Sequence, residues 1–222
     1  RPALSYPVCE IETPAQALQV PPRCLPVLQV VPVAPDMPWG QVNGRAGQLA
    51  GEAVLWATRA ALRGEVAALV TAPLHKEALH AAGAPYDQYP GHTELLQSEA
   101  ARHAGVTHAQ MPVRMMLANR ELKTVLVTIH QPLRQAIDAI TVDRILETLR
   151  ITHRAELAST GRAPHLAVAG LNPHAGEGGL LGREEKEVIQ PAIQLAKAEG
   201  MHVSGPWSPD TVFMRARAEH GQ

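Results

Sequence analysis

The chain has 222 residues, with 20 Lys plus Arg, 21 Asp plus Glu and a formal net charge of −1. This length accommodates one substantial hydrophobic core or two small ones. The balanced charge argues against a nucleic-acid partner. Two cysteines, Cys9 and Cys24, are too few for a disulfide framework and favour a cytoplasmic location. The sequence contains no apolar run long enough to cross a bilayer, so we expect no membrane partner.

The first part of the chain is predicted to alternate strands with helices. Residues 1–45 are rich in proline, which forbids long helices, and residues 28–33 are predicted to form a short edge strand. Apolar residues recur at steps of three and four over residues 47–63, which predicts a helix. The apolar run 67–71 then predicts a buried strand.

Two further helices are predicted after that strand, each preceded by a loop. The first begins near Lys76 and stops before Gly83, and the second is expected to be capped by Thr93. Helix amino ends carry free N–H groups and the positive end of the helix dipole, so both can hold a phosphate or a carboxylate. We therefore consider His75, Lys76, His92 and Thr93 as anion contacts.

The second part of the chain continues the alternation. The predicted elements are a hairpin of strands 113–117 and 124–129, a helix capped by Thr141, a strand at 165–170, a helix at 184–199 and a strand within 200–206. The fold class is therefore α/β, with a mixed sheet that contains at least one antiparallel pair and is flanked by helices.

Two of the eleven histidines follow successive predicted strands. His130 and His174 are expected to lie side by side at one edge of the sheet. Imidazole is the commonest ligand of divalent metals, so these two are candidate metal ligands. Two histidines do not complete a metal site. A third ligand has to come from a carboxylate, a missing segment or another subunit.

The glycine-rich stretch 170–179 leads from a predicted strand to a predicted helix. Chemistry in α/β proteins is usually found in such a loop, beyond the carboxyl end of a strand. The stretch lacks the lysine and the Ser or Thr of a phosphate-binding P-loop. We interpret it as a rigid presenter of His174, with Pro173 setting the approach. The alternative is a solvated connection that happens to carry a histidine.

Five motifs in this order resemble the 4-hydroxythreonine-4-phosphate dehydrogenase family of pyridoxal 5′-phosphate biosynthesis. They are TAPLHK at 71–76, PGHTE at 90–94, LVTIHQPLR at 126–134, GLNPHAGEGG at 170–179 and GPWSPDTVF at 205–213. The resemblance spans nearly the whole chain. Family members are longer at both ends, so residues 1–222 are expected to be an α/β catalytic core that lacks the amino- and carboxyl-terminal segments of the family.

The resemblance implies a fold similar to isocitrate and isopropylmalate dehydrogenases, with two subdomains and the active site in the cleft between them. It implies NAD, with NADP as an alternative, and one divalent ion (Zn, Mg, Mn or Co) held by three histidines shared between the subunits of a homodimer. Two of these correspond to His130 and His174. The third belongs to a Tyr-His-Asp-Gln segment that is not in this sequence. Substrate contacts correspond to His92 and Thr93.

The activity implied by the resemblance is oxidation of the 3-hydroxyl of 4-phosphonooxy-L-threonine. The product is a β-keto acid that decarboxylates to 3-amino-2-oxopropyl phosphate. Asp210 is a candidate for general-base work or for positioning the metal or the substrate amine, or it is only a helix cap. Lys76 is the other candidate for the chemistry.

Two alternatives stay open. A related dehydrogenase could act on a different β-hydroxy acid, such as a cis-dihydrodiol carboxylate or another phosphorylated hydroxy acid. The other alternative is a metal- or phosphate-binding relative without catalytic activity.

Overall fold

The chain folds as a mixed α/β protein in a computed structural model that describes residues 6–32, 37–38, 40–89 and 91–219. It divides into two compact units, Arg1–Pro112 and Val113–Gln222. Among the described residues, no helix is both long and apolar enough to cross a membrane.

The first unit combines a small parallel sheet with three helices. Its elements are β1 (Val8–Ile11), β2 (Leu25–Leu28), α1 (Gly44–Leu62), α2 (Lys76–Ala81) and α3 (His92–Ala104). Strand β1 pairs with β2 in parallel, with Val8 opposite Leu25. The core is formed by Leu55 of α1, Leu79 of α2, Leu95 of α3 and the intervening Tyr86.

Helix α1 packs unusually close to α2. A Cβ atom on Gly47 would lie 1.8 Å from the carbonyl oxygen of Ala78, so only glycine fits at this crossing. The side chain of Asn43 caps α1 by accepting the N–H groups of Arg45 and Ala46. The close crossing at Gly47 and Ala78 sets the position of α2, whose first residue is Lys76.

The second unit contains an antiparallel hairpin and a parallel pair of strands. Its elements are β3 (Met116–Ala118), β4 (Lys123–Val125), α4 (Leu133–Asp138), α5 (Val142–Thr160), β5 (His165–Ala169), α6 (Gln190–Ala198), β6 (His202–Trp207) and α7 (Val212–Glu219). A π-helical turn, Glu185–Ile189, runs directly into α6. The core lies between α5, α6 and β6, around Leu149, Ile193 and Val203.

Most of the predicted helices are confirmed. The helix predicted over 47–63 is α1, and Thr141 caps α5 by accepting the N–H of Arg144. The hairpin is confirmed with shorter strands, and the strand predicted at 165–170 is β5. The mixed α/β class is confirmed, but the strands of the described residues form three separate pairs rather than one sheet.

Two strand predictions were wrong. Residues 67–71 form no strand, and Val70 is 92% exposed. A strand needs a hydrogen-bonded neighbour, and no described strand pairs with this run. The strand predicted at 28–33 lies instead at Leu25–Leu28, where pairing with β1 determines its limits. Val33, the end of that prediction, lies outside the described residues.

A buried carboxylate links α1 to α3. Glu99 accepts hydrogen bonds from Arg59, with 2.8 Å between Nε and Oε2, and it is paired with Arg102. Burial raises the pKa of Glu99, but hydrogen bonds from the two guanidinium groups lower it more, so its net pKa is lowered. The ionised carboxylate is therefore the stabilising form.

Replacing Glu99 is expected to destabilise the protein in a pH-dependent way. Because the folded-state pKa is lowered, the stabilisation is present above the unfolded-state pKa of about 4.3 and is lost as the pH falls through the folded-state value. Glu99→Gln should reduce the free energy of unfolding in urea by about 1–2 kcal/mol at pH 7, with a smaller deficit in acid. The exposed Glu65, paired with Arg63, provides the control Glu65→Gln, which should leave the free energy of unfolding nearly unchanged because solvent screens this ion pair. If Glu99→Gln reduced the free energy of unfolding equally at pH 7 and in acid, the ionised carboxylate would not be the stabilising form.

Candidate functional site

His130 occupies a strained backbone position beyond the hairpin. Strand β4 ends at Val125, so His130 does not directly end a strand, contrary to the sequence prediction. Its φ of 53° lies in the left-handed region that non-glycine residues rarely adopt, and its side chain is exposed. In the next residue, Gln131, the buried Nε2 atom has no hydrogen-bond partner among the described residues. Strained backbone at residues other than glycine clusters at functional sites.

His174 begins a short left-handed turn in the glycine-rich loop. Five consecutive residues have positive φ: His174 (52°), Ala175 (53°), Gly176 (79°), Glu177 (42°) and Gly178 (67°). Three of them are not glycine, and each of these costs roughly 1–2 kcal/mol relative to a right-handed conformation. The surrounding structure must therefore hold this turn in place. Whether the loop is rigid, as the sequence predicts, stays a prediction.

The buried carboxylate of Glu185 anchors the start of the turn. Its Oε1 accepts the N–H groups of Leu171 (2.8 Å) and Asn172 (2.7 Å), and its Oε2 accepts the Asn172 side-chain amide (2.9 Å). Glu185 is only 4% exposed. Burial raises the pKa of Glu185, but the donors from Asn172 and Leu171 outweigh burial, so the net pKa is lowered. The anchor is therefore ionised at neutral pH.

Asn172 is held from three sides. Its Nδ2 also donates to Glu184, 2.7 Å away, and its side chain lies against the backbone of Gly182, where a Cβ atom would be 2.3 Å from Nδ2. The residue directly before Pro173 is thus fixed by two carboxylates and a close backbone contact. These contacts fix the backbone from which the chain enters the turn that carries His174.

One nitrogen of the His174 imidazole is already occupied. Its Nδ1 lies 3.1 Å from Oε2 of Glu177, which leaves Nε2 without a partner among the described residues. A carboxylate on one nitrogen and a free second nitrogen is the usual arrangement of a metal-bound histidine. The donor chemistry of His130 and His174 therefore fits a divalent ion. No cluster of three or more metal-binding side chains occurs in the described part of the chain, so the third donor predicted from the sequence is not found there.

The first unit brings Lys76 to the amino end of α3. A Cβ atom on Gly91 would lie 3.5 Å from Cε of Lys76 and 3.5 Å from Oε2 of Glu94, so both side chains reach this helix end. His75 is the cap of α2, and its Nδ1 accepts the N–H of Ala78 at 3.3 Å. Lys76 therefore supplies a positive charge beside α3, while His75 has a structural contact.

His92 and Thr93 are the first two residues of α3. The prediction that Thr93 caps this helix was wrong, because the cap is the extended Gly91, which has no side chain to accept a hydrogen bond. Thr93 is exposed. The first N–H groups of α3 thus lack a side-chain acceptor, which suits an anionic ligand.

Asp210 lies in the exposed turn before α7. Its Oδ2 accepts a hydrogen bond from Oγ of Ser208 at 3.0 Å, and the N–H of Val212 bonds to the carbonyl of Ser208. The hydrogen bond from Ser208 orients the Asp210 carboxylate locally. It is compatible with a general base and with a helix cap.

Sequence reasoning missed the residues that support His174. Glu185 and Glu184 stand at the start of a helical segment, where acidic residues are common for dipole reasons alone. Glu177 lies in the glycine-rich stretch 170–179, three residues after His174. This short spacing was the only sequence feature that could have indicated its contact with the His174 ring. Only the folded loop reveals that Asn172 is the common partner of both helix carboxylates.

Comparison with known proteins identifies one family. The family model described as pyridoxal phosphate biosynthetic protein PdxA matches residues 3–221. The 4-hydroxythreonine-4-phosphate dehydrogenase of Beijerinckia indica is 49% identical over 178 residues, which are 80% of this chain and 50% of that protein. The D-threonate 4-phosphate dehydrogenase of Salmonella typhimurium is 45% identical over 177 residues, covering 80% of this chain and 51% of that protein.

A solved structure agrees with these relatives. The crystal structure of 4-hydroxythreonine-4-phosphate dehydrogenase from Klebsiella pneumoniae matches with a TM-score of 0.83 and 39% identity, covering 96% of this chain and 61% of that one. The chain spans about half the length of the two curated relatives named above.

Two glycines of the left-handed turn are expected to differ in their tolerance of a side chain. A Cβ atom on Gly176 would lie 2.7 Å from Oε2 of Glu185, whereas one on Gly178 meets nothing within 4 Å, although both residues have positive φ. Gly178→Ala should therefore cost only backbone strain, about 1–2 kcal/mol. Gly176→Ala should cost about 1–3 kcal/mol more in urea unfolding, because it also displaces the anchoring carboxylate. Equal losses in the two variants would show that the Glu185 contact does not matter.

Proposed function

Because this chain belongs to the PdxA family of pyridoxal phosphate biosynthetic proteins, we propose that the protein oxidises the 3-hydroxyl of 4-phosphonooxy-L-threonine with NAD, or alternatively NADP, as the acceptor. The β-keto acid then loses carbon dioxide to give 3-amino-2-oxopropyl phosphate. The observation that best supports this site assignment is the left-handed turn that presents His174, with Nδ1 on Glu177 and Nε2 free of described partners.

We propose that His130 and His174 hold one divalent ion, Zn, Mg, Mn or Co. When bound, such an ion supplies Lewis-acid chemistry, which acidifies a coordinated hydroxyl and polarises the ketone that forms from it. Neutral imidazoles suit this role because they leave the charge of the ion uncompensated. Glu177 keeps the His174 ring oriented through Nδ1. The third donor is proposed to come from outside the described residues.

The amino end of α3 is the proposed anion contact for the substrate. His92 and Thr93 offer the first N–H groups of the helix and the Thr93 hydroxyl, and Lys76 adds a positive charge beside Gly91. A phosphate or carboxylate is stabilised there by the helix dipole and by charge-assisted hydrogen bonds. Glu94 lies at the same helix end, so its carboxylate is expected to pair with Lys76 or to move when an anion binds.

Oxidation of the alcohol sends a hydride to the nicotinamide and a proton to a base. Asp210, held by Ser208 in an exposed turn, is our candidate for this base or for a contact with the substrate amine. The isocitrate dehydrogenase-like arrangement with a cleft between two subdomains, a homodimer that shares the site, and a cytoplasmic location are further parts of this proposal.

A second candidate substrate is the phosphorylated hydroxy acid D-threonate 4-phosphate. The relative from Salmonella typhimurium that carries this name is 45% identical, close to the 49% of the relative named for 4-hydroxythreonine 4-phosphate. In place of the amino group of 4-phosphonooxy-L-threonine, D-threonate 4-phosphate carries a hydroxyl. A contact with a protonated amine is therefore the feature that discriminates the two.

The substrate assignment is tested by steady-state reduction of NAD with both compounds, using protein from the complete gene. We expect kcat/KM for 4-phosphonooxy-L-threonine to exceed that for D-threonate 4-phosphate by about tenfold or more, because a lost charge-assisted hydrogen bond costs about 1.5–3 kcal/mol. Unphosphorylated 4-hydroxythreonine is the control for the anion contact and should have a much higher KM. A preference for D-threonate 4-phosphate would transfer the proposal to that substrate, and activity with neither would favour a binding protein.

A further inference from the structure

We propose that Glu185 is a positioning residue for His174, acting through the backbone rather than by touching the substrate or a metal. This inference rests on the proposed metal-binding role of His174. It adds that His174 is positioned to bind the metal only while the buried carboxylate of Glu185, eleven residues further along the chain, is hydrogen-bonded to the loop.

The anchor is applied immediately before His174. The two N–H groups that Glu185 accepts belong to Leu171 and Asn172, the last two of the three residues between β5 and Pro173. Consecutive N–H groups can converge on one oxygen only if the backbone bends sharply at this point. The bend determines the direction in which the chain enters the left-handed turn.

The same carboxylate also lies against the middle of the turn. Cβ atoms on Gly170 and Gly176 would lie 3.1 Å and 2.7 Å from its two oxygens. Both the residue before the bend and the third residue of the turn are therefore in close approach to Glu185. Removing this carboxylate would free both ends of the segment that carries His174.

The local helix geometry is consistent with such a role. Glu185 is the first residue of the π-helical turn Glu185–Ile189, and single π-turns within helices occur frequently at functional sites. Glu185 is buried, while the neighbouring Lys186 and Glu187 are exposed. No described lysine or arginine forms a salt bridge with Glu185, so the hydrogen bonds to the loop are its specific contacts.

A purely structural anchor and a positioning residue differ in what their loss changes. Loss of a structural anchor lowers stability but leaves the affinity of the folded protein for a metal unchanged. Loss of a positioning residue changes that affinity in protein that is still folded. Supporting contacts behind metal-bound histidines typically contribute a factor of about 10–100 in affinity.

The test compares four variants of the protein expressed from the complete gene with the wild type: Glu185→Gln, Glu187→Gln, His174→Ala and Asn172→Ala. Glu187 is exposed and paired with Arg183, so Glu187→Gln is the matched control on the same helical segment. The readouts are the Kd for Zn²⁺, by competition with a chromogenic chelator, and hydrogen exchange of the Leu171 and Asn172 amides. Circular dichroism verifies that each variant is folded.

We expect Glu185→Gln to raise the Kd for Zn²⁺ by about tenfold or more and to accelerate exchange of both amides by a similar factor, while Glu187→Gln stays within about twofold of the wild type. Wild-type Zn²⁺ affinity in folded Glu185→Gln, with weakened binding in His174→Ala, would overturn the positioning role alone. Unchanged affinity in His174→Ala would overturn the metal assignment and the positioning role together. If Glu185→Gln does not fold, Asn172→Ala decides, since it removes the amide that donates to Glu185 and Glu184 and leaves both carboxylates in place. The same rise in Kd is then expected, and wild-type affinity would overturn the inference.

Discussion

The hydrogen bonds between the buried Glu185 carboxylate and the start of the glycine-rich loop are the constraint on which the presentation of His174 depends. The turn that follows is left-handed at three residues other than glycine, a conformation that the chain would not adopt unaided. The carboxylate compensates for this strain by satisfying two backbone N–H groups and the Asn172 amide. Burial would favour the protonated acid, but these donors keep the carboxylate ionised. The position of His174 therefore follows from a local electrostatic balance.

Much of the fold could be predicted from periodicity and capping. Helix α1 follows from apolar spacing, and α5 follows from its Thr141 cap and its apolar face. The strand prediction at 67–71 failed because an apolar run specifies a strand only when a partner strand is present, and none is described beside it. The cap of α3 was also predicted wrongly, because the helix is capped by the extended Gly91 and not by Thr93.

The sequence suggested two candidate metal ligands but not the residues that support them. His130 and His174 could be recognised because each follows a predicted strand and precedes or follows a proline. Their left-handed backbone could not be read from residue type, since only a few per cent of non-glycine residues adopt it. The supporting residues were hidden for a different reason. A glutamate at a helix start is so common that nothing distinguishes Glu185 from an ordinary dipole partner until its loop contacts are known.

The central claim is that two strained histidines of the second unit, His130 and His174, serve one divalent ion. The most direct test is a crystal structure of the protein with Zn²⁺, in which anomalous scattering at the zinc edge locates the ion. We expect one anomalous peak at about 2.0–2.1 Å from a ring nitrogen of each histidine, with Nδ1 of His174 still on Glu177. A zinc ion bound elsewhere, or one that contacts only one of the two histidines, would contradict it.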